Sequence, residues 1–263
     1  MKIIVLVKQV PETSEVEIDP VKGTLKREGV LSKTNPYDLH ALEAALRLKD
    51  EVGGEVTVLS MGPPQAEAVI REAYSMGADS GVLLSDRAFA GADTLATSFT
   101  LSRAIQKIGF DLVIAGMQST DGDTAQVGPG VAEILDIPHV SYVREIQKAT
   151  PEALTVTCDH GDYFLTVEVR LPCLLTVSRD INQPRLPSYR KKKLTKDKPV
   201  QVWGRKDLTS YDSAEEYFGL DGSPTRVERI FAPERKRVRE IWEGTPGDLA
   251  GRLYHFLKEA REI

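Results

Sequence analysis

Residues 111–135 read DLVIAGMQSTDGDTAQVGPGVAEIL, in which a short aliphatic run, a polar loop and a helical pattern follow one another. Comparable aliphatic runs occupy residues 3–7, 55–59 and 81–84. These runs are continuously rather than alternately apolar, and such a strand has both of its faces covered, as in a parallel sheet. The four runs therefore predict four buried parallel strands.

Helical patterns lie between these runs. Asn35-Pro36 predicts the start of one helix, with an N-cap followed by a proline at the first helical position, and Gly53 predicts its end. Further helices are predicted from about Pro64, from Asp93 and after Thr124. This alternation of strands and helices predicts an α/β fold with a doubly wound, mostly parallel sheet.

The pattern changes after about residue 139. Residues 154–158 and 163–169 flank the sequence Asp159-His160-Gly161-Asp162, which has the turn chemistry of a β-hairpin. From Asn182 onward, prolines and charges dominate as far as a weak helix near residues 249–257. The sequence thus predicts an α/β domain over residues 1–181, extended by an antiparallel hairpin, and an arm over residues 182–263.

Composition and charge exclude several classes of protein. The 263 residues carry a formal net charge of −5, so the chain has no overall positive field that would gather nucleic acid. No apolar run approaches the roughly 18 residues of a membrane span, and residues 3–7 are too few for the apolar core of a signal peptide. Cys158 and Cys173 lack CxxC or CxxH neighbours and are predicted to be buried apolar side chains. We expect a cytoplasmic protein.

The candidate site lies in the loops that follow the predicted strands, because open parallel sheets bind ligands beyond the carboxyl ends of their strands. Residues 116–129 contain little apolar bulk and then open a helix, whose free amides and positive end can hold a phosphate. The loops at residues 8–11, 61–64 and 91–94 should converge on the same edge. A capped surface loop would account for residues 116–129 alone, but four such loops favour a nucleotide pocket.

Other functional signatures are missing from the sequence. There is no GxGxxG after the first strand and no GxxxxGK[ST], which disfavours a standard Rossmann dehydrogenase and a P-loop ATPase. No GxSxG occurs, and the histidines have no local partners. Asp121 and Asp123 invite a metal or paired-carboxylate interpretation, but no third ligand stands at a useful spacing. The residues alone indicate an adenosine or phosphate binder without a visible catalytic group.

The chain resembles the beta subunit of electron transfer flavoproteins over nearly its whole length. Motifs similar to those of the family occur in the family's order. They are VKQVP at residues 7–11, NPYD at 35–38, MGPP at 61–64, MGAD at 76–79, GADTLATS at 91–98, DGDTAQVGP at 121–129 and RLPCLLTV at 170–177.

This resemblance implies a heterodimer with an alpha subunit that holds an electron-carrying FAD. The beta subunit holds AMP in the simpler members and a second FAD in electron-bifurcating members. The DGDTAQVGP and GADT motifs are more similar to the FAD-containing group, because AMP-type members tend to have an additional acid and an asparagine in this loop. We therefore expect FAD here, with AMP as the alternative in the same site and NADH as a transient substrate.

The residues expected at this cofactor lie in the first strand, at the start of the first helix and in the loops that follow the strands. They are Leu6, Lys8, Asn35, Pro36, Tyr37, Asp38, Met61, Gly62, Asp93, Thr94, Thr97, Gly116, Met117, Gln118, Ser119, Thr120, Asp121, Gly122, Asp123, Thr124, Ala125, Gln126, Val127 and Gly128. Neither a catalytic side chain nor a metal ligand is expected among them, because the flavin performs the redox chemistry.

The resemblance also implies how the chain meets its partners. In the family a loop after the RLPCLLTV region docks a partner dehydrogenase through a leucine, and Leu186 is the best match, beside Pro187 and Arg190. The rest of the arm is expected to pack on the alpha subunit. An acyl-CoA dehydrogenase or another flavin dehydrogenase, and ferredoxin or flavodoxin, are the expected electron partners.

Three functional hypotheses follow. The first is a bifurcating subunit whose FAD takes hydride from NADH and sends one electron through the alpha-subunit FAD and the other to ferredoxin or flavodoxin. The second is a conventional carrier subunit that binds AMP structurally and takes electrons from acyl-CoA-type dehydrogenases. The third is a stand-alone nucleotide-binding regulator similar to universal stress proteins. An adenylyl-transfer enzyme is disfavoured, because no nucleophile or metal cluster is visible, and the chain alone is expected to have no activity.

Overall fold

The structure is a computed structural model that describes residues 1–12, 31–209, 214–228 and 240–260. The chain divides into two compact units, Met1–Arg229 and Ile230–Ile263.

The first unit is built on one large twisted sheet. In chain order, the strands of the described residues are β1 (Lys2–Leu6), β2 (Gln9–Pro11), β3 (Ser32–Thr34), β4 (Glu55–Met61), β5 (Ser80–Leu84), β6 (Leu112–Gly116), β7 (His139–Ala149), β8 (Ala153–Asp159), β9 (Phe164–Arg170), β10 (Cys173–Val177) and β11 (Gln201–Trp203). The large sheet has the order β11-β5-β4-β1-β6-β10-β7-β8-β9, while β2 and β3 form a separate antiparallel pair. Pairing is parallel from β11 to β7 and antiparallel from β7 to β9.

Helices cover both faces of the parallel part. The α-helices of the described residues are α1 (Pro36–Val52), α2 (Glu67–Met76), α3 (Thr94–Ile108), α4 (Val127–Leu135), α5 (Tyr189–Leu194), α6 (Arg205–Leu208) and α7 (Pro246–Glu259). One apolar core joins α1 and α2 to the sheet, and a second core joins α3 and α4 to the opposite face. The predicted α/β fold with a doubly wound, mostly parallel sheet is confirmed.

Several local predictions are confirmed as well. The first helix begins at Pro36 and ends at Val52 with Gly53 as its C-cap, and the predicted hairpin is formed by β8 and β9. Cys158 and Cys173 are buried, as expected of small apolar side chains. The prediction that Asn35 caps α1 holds for its position only. Its side chain makes no capping hydrogen bond to the helix.

The sequence pattern did not reveal the positions of β10 and β11 in the sheet. β10 follows the hairpin along the chain, yet it lies between β6 and β7, parallel to both. β11 comes from the segment interpreted as an irregular arm, and it pairs with β5 at the edge of the sheet. Both strands are short, and their partners are distant in sequence, so no local periodicity marks their place.

The second unit contains α7, whose N-cap Thr245 accepts a hydrogen bond from the amide of Asp248. Trp242 packs edge-on against Phe256 with ring centroids 5.7 Å apart, and the Arg252 guanidinium lies 4.8 Å from the Trp242 centroid. Leu253, Tyr254 and Phe256 remain exposed within this unit. No helix in the described ranges has the length and apolar character that crossing a bilayer requires.

The position of β10 gives a stability prediction. Leu175 is fully buried in β10, whereas Leu165 in the edge strand β9 is 42% exposed. Leu175→Ala should lower the free energy of unfolding by about 2–5 kcal/mol, because it removes buried contacts and leaves a cavity. Leu165→Ala is the matched control and should cost less than about 1 kcal/mol. Urea unfolding of the purified chain measures both, and equal losses would contradict the central position of β10.

Candidate functional site

The connections of the sheet open a crevice beside β1. Helix α1 leads from β1 to β4 on one side, whereas α3 leads from β5 to β6 on the other side of β1. The order in which the strands are added to the sheet thus reverses between the parallel strands β1 and β6, and the loops beyond their carboxyl ends diverge. Such a switch point is where open α/β sheets bind ligands.

The predicted loops do meet at this edge. The Lys8 ammonium donates to Asp121 Oδ1 at 2.7 Å, which joins the end of β1 to the loop after β6. Gln9 Nε2 lies 3.3 Å from Gln65 O, which joins the β1 loop to the loop after β4. The Thr94 hydroxyl donates to Gln126 Oε1 at 3.3 Å, which joins the starts of α3 and α4.

Asn35 holds the start of α1 against the loop after β6. Its Nδ2 donates to Gln118 O at 2.8 Å and to Asp38 Oδ1 at 2.9 Å. Its Oδ1 accepts from the Thr120 amide at 3.3 Å. The side chain is therefore engaged in tertiary contacts, and this is why it does not cap its own helix.

Asp38 is the buried acid of the site. Its Oδ2 accepts from the Lys8 amide at 2.8 Å, and the carboxyl group also accepts from the side chain of Asn35 and the amide of Gly116. Burial raises the pKa of Asp38 to about 7, although these hydrogen bonds and the charge of Lys8 act in the opposite direction. Asp38 thus joins the end of β1, the start of α1 and the end of β6.

The loop after β6 folds on itself through polar contacts and two left-handed residues. Asp123 and Ala125 have φ values of 54° and 55°, and the Asp123 amide donates to Ser119 O at 2.8 Å. Burial opposes ionisation of Asp121, but the hydrogen bond and the charge of Lys8 outweigh it and lower the pKa of that carboxyl. In the described residues no group of three His, Cys, Asp or Glu side chains could hold a metal ion.

Asp93 is fully engaged at the start of α3. Its Oδ1 accepts from the amides of Leu95 and Ala96 at 3.0 and 3.1 Å, which is N-capping. Its Oδ2 accepts from the Thr225 hydroxyl at 2.8 Å, and the Asp93 amide donates to Ser223 Oγ at 2.8 Å. Ser223 and Thr225 are therefore residues beside the site that sequence reasoning missed, since they contact it from about 130 residues away.

Two glycines permit the close approach of backbones at this edge. A methyl group at Gly116 would overlap Asp38 Oδ1 and lie 2.7 Å from Tyr37 Cβ. A methyl group at Gly128 would lie 2.5 Å from the Thr176 Cγ2 atom of β10. These positions favour glycine because their neighbours are tightly packed, and neither φ is in the left-handed region.

The remaining predicted residues occupy the same edge or a second surface. Leu6 and Met61 belong to the core under α3 and α4, and Gly62 donates its amide to Leu84 O. Leu186, Pro187 and Arg190 are exposed in the segment that crosses α1 and α2, separate from the carboxyl-edge loops.

The donor set at the edge suits a nucleotide. Thr94 and Gln126 lie at the start of α4, whose positive end favours an anion, and Lys8 contacts Ser119 and Asp121 in the loop before it. Hydroxyls and backbone amides of this kind can bind ribose and phosphate. The residues present thus fit an adenosine phosphate.

Comparison with known proteins agrees with this geometry. Residues 22–208 match the model of the electron transfer flavoprotein domain. The electron transfer flavoprotein subunit beta of Clostridium acetobutylicum is 48% identical over 263 residues, which cover 100% of both chains. The chain belongs to the electron transfer flavoprotein beta-subunit family. The expected resemblance is confirmed.

Other relatives of this beta-subunit chain have more specific names. Subunit CarD of the caffeyl-CoA reductase-Etf complex of Acetobacterium woodii is 48% identical over 266 residues, with 100% of both chains covered. Protein FixA of Azorhizobium caulinodans is 42% identical over 259 residues, which cover 94% of this chain and 92% of the relative. Relatives that cover most or all of this chain thus carry several different names.

The packing around Gly116 gives a prediction within the beta subunit. Gly116→Ala should lower the free energy of unfolding by about 1–3 kcal/mol, because the new methyl group displaces the start of α1. Gly122→Ala in the same loop is the control, since its methyl group would meet only Ser119 Oγ at an ordinary 3.5 Å. Thermal unfolding measures the difference. Equal stability of the two variants would contradict the tight contact at Gly116.

The buried acid gives a pH prediction. The pKa of Asp38 is about 7 in the folded chain and 3.8 as its ordinary value, so the folded chain binds the proton more tightly. The stability gained is complete below the ordinary pKa and is lost as the pH rises through the folded pKa. Asp38→Asn is neutral throughout, so wild type should lose stability relative to this variant between about pH 4 and 7.

The measurement is the melting temperature of each variant across this pH range. Asp162→Asn, in an exposed turn of the hairpin, is the control and should follow the pH dependence of wild type. If Asp38→Asn also follows wild type at every pH, Asp38 does not carry a raised pKa.

Proposed function

We propose that the chain is the beta subunit of a heterodimeric, electron-bifurcating electron transfer flavoprotein that binds FAD at the β1/β6 crevice. Bound FAD supplies hydride and one-electron chemistry, with NADH as the electron source and a dehydrogenase and ferredoxin or flavodoxin as acceptors. The chain's own residues bind and orient this cofactor.

The observation that carries the choice of FAD is the contact between Thr94 and Gln126. This hydrogen bond connects the starts of α3 and α4 into one polar surface. An adenosine monophosphate can be bound by the β6 loop and the start of α4, whereas FAD also needs polar partners for a second phosphate and a ribityl chain. Thr94 and the half-buried Thr97 extend the donor surface in that direction.

The residues of the crevice have distinct roles in this proposal. Asn35 and Asp38 hold the loop after β6 in place, and their contacts with the protein leave the ligand to the backbone and hydroxyls of that loop. Lys8 is paired with Asp121, and this ion pair joins the end of β1 to the loop after β6. Asp93 holds the start of α3 through its cap.

The proposed partners bind the C-terminal part of the chain. Residues 182–263 would contain the docking loop and an arm that packs on the alpha subunit. Leu186, Pro187 and Arg190 are exposed and offer an apolar anchor with a positive neighbour to a dehydrogenase. The exposed apolar side chains of α7, Leu253, Tyr254 and Phe256, support an arm that is covered by another chain.

Counting cofactors tests the proposal. The chain is co-purified with its alpha subunit, and the released flavin and AMP are quantified against protein. Bifurcation requires two FAD molecules for each heterodimer and little AMP. One FAD together with one AMP would overturn the FAD assignment and leave the conventional carrier subunit. A stable homodimer without flavin would instead favour the nucleotide-binding regulator.

A substitution tests the surface between α3 and α4. Thr94→Val removes the hydroxyl that meets Gln126 and should weaken FAD binding by about two- to tenfold, the effect of one hydrogen bond. Thr100→Val is the control on the same helix, because its buried hydroxyl bonds only its own helix at Ala96 O. Flavin release on dialysis measures retention. If both variants retain FAD equally, Thr94 does not contribute to its binding.

A further inference from the structure

The segment that presents Leu186 is attached to the protein on both sides. Before it, Asn182 Nδ2 donates to His40 O at 3.0 Å, and His40 Nδ1 lies 2.9 Å from Asn182 O. After it, the Ser188 amide donates to Ser75 O at 2.9 Å. These contacts fasten the segment to α1 on one side and to α2 on the other.

Arg185, the residue directly before Leu186, forms hydrogen bonds and an ion pair with Glu43 of α1. Its Nε donates to Glu43 Oε2 at 2.8 Å, its Nη2 lies 3.3 Å from Glu43 Oε1, and its backbone amide donates to Glu43 Oε2 at 3.1 Å. The same Nη2 donates to Asp50 Oδ2 at 2.9 Å. Both the side chain and the backbone of Arg185 are thus held by one carboxylate of α1.

Glu43 is buried and pairs with two arginines. Its side chain is 4% exposed, and Arg47 Nε donates to it at 2.8 Å from the next turn of α1. Burial disfavours the charged form, but the hydrogen bonds from Arg185 and Arg47 outweigh it and lower the pKa of Glu43. The carboxylate is therefore charged at neutral pH and needs both arginines as partners.

Leu186 comes directly after this ion pair and is 87% exposed. An exposed leucine on a free loop would lose conformational entropy when a partner binds it, and this loss weakens association. Here the residue before Leu186 is fixed by a bidentate ion pair and a backbone hydrogen bond. The backbone next to Leu186 is therefore ordered before any partner binds.

We propose that Arg185 is a positioning residue for partner docking, and that its contact with Glu43 fixes Leu186 in the orientation in which it enters a partner flavin dehydrogenase. This inference rests on the proposed docking function of Leu186. It adds that affinity for the dehydrogenase depends on a residue that does not itself enter the partner.

The test uses the complete heterodimer and, as the probe, a purified acyl-CoA dehydrogenase from the same organism that reacts with the wild-type heterodimer. Initial rates of electron transfer are measured against heterodimer concentration, to give KM and kcat for Arg185→Gln, Leu186→Ala and the double variant. Lys49→Gln is the matched control. Lys49 lies on α1, as Glu43 does, and its ammonium group forms an ion pair with Asp79 at 2.6 Å. Flavin content is recorded for every variant.

Leu186→Ala should raise KM at least about tenfold, as expected of a buried anchor at an interface. Arg185→Gln should raise KM about fivefold while kcat and flavin content stay at the level of wild type, since Leu186 loses its preorganisation and no group of the proposed cofactor site is changed. The double variant should resemble Leu186→Ala, because Arg185 acts through that leucine and the two effects are then not additive. Lys49→Gln should leave KM unchanged.

The outcomes separate the two proposals. An unchanged KM in Leu186→Ala would overturn the docking function itself. A raised KM in Leu186→Ala with an unchanged KM in Arg185→Gln, or with fully additive effects in the double variant, would overturn only the positioning role.

A conservative variant keeps the test decisive if Arg185→Gln does not fold. Arg185→Lys retains a charge beside Glu43 but replaces the two-nitrogen contact with a single one, so KM should rise about two- to threefold. A KM equal to that of wild type in Arg185→Lys would overturn the positioning role.

Discussion

The buried carboxyl group of Asp38 accepts hydrogen bonds from residues that the chain brings together from positions 8, 35 and 116. Each donor belongs to a different element: the end of β1, the start of α1 and the end of β6. These ends define the switch point of the sheet, so the shape of the candidate site depends on this one group. The tight packing around Gly116 follows from the same constraint, since a larger residue would separate Asp38 from β6.

Helix α1 connects the candidate site to the segment around Leu186. Its first turn carries Asp38, which faces the crevice, and its next turns carry His40 and Glu43, which hold the segment around Arg185. Because a helix is stiff over this length, both surfaces share one rigid support. The arrangement fixes the segment around Leu186 and the loop after β6 in a constant relation within one chain.

Ordinary hydrogen bonds define the crevice more than charges do. Lys8 and Asp121 neutralise each other, and Asp93 is satisfied by helix amides and Thr225, so few charged groups are left without a protein partner among these residues. Backbone amides, hydroxyls and a helix start can hold a phosphate without a strongly basic pocket. This agrees with a chain whose overall charge is negative.

The sequence by itself determined the alternation of strands and helices, the hairpin and the polar loop after β6, because apolar periodicity and turn residues act over a few neighbouring positions. It also placed most residues of the candidate edge, since parallel strands bring their following loops together. Only the tertiary structure revealed β10 between β6 and β7, β11 at the edge, Thr225 beside Asp93, and Arg185 on Glu43. The last two contacts join residues 132 and 142 positions apart, and pairing over such separations leaves no local pattern in a single sequence.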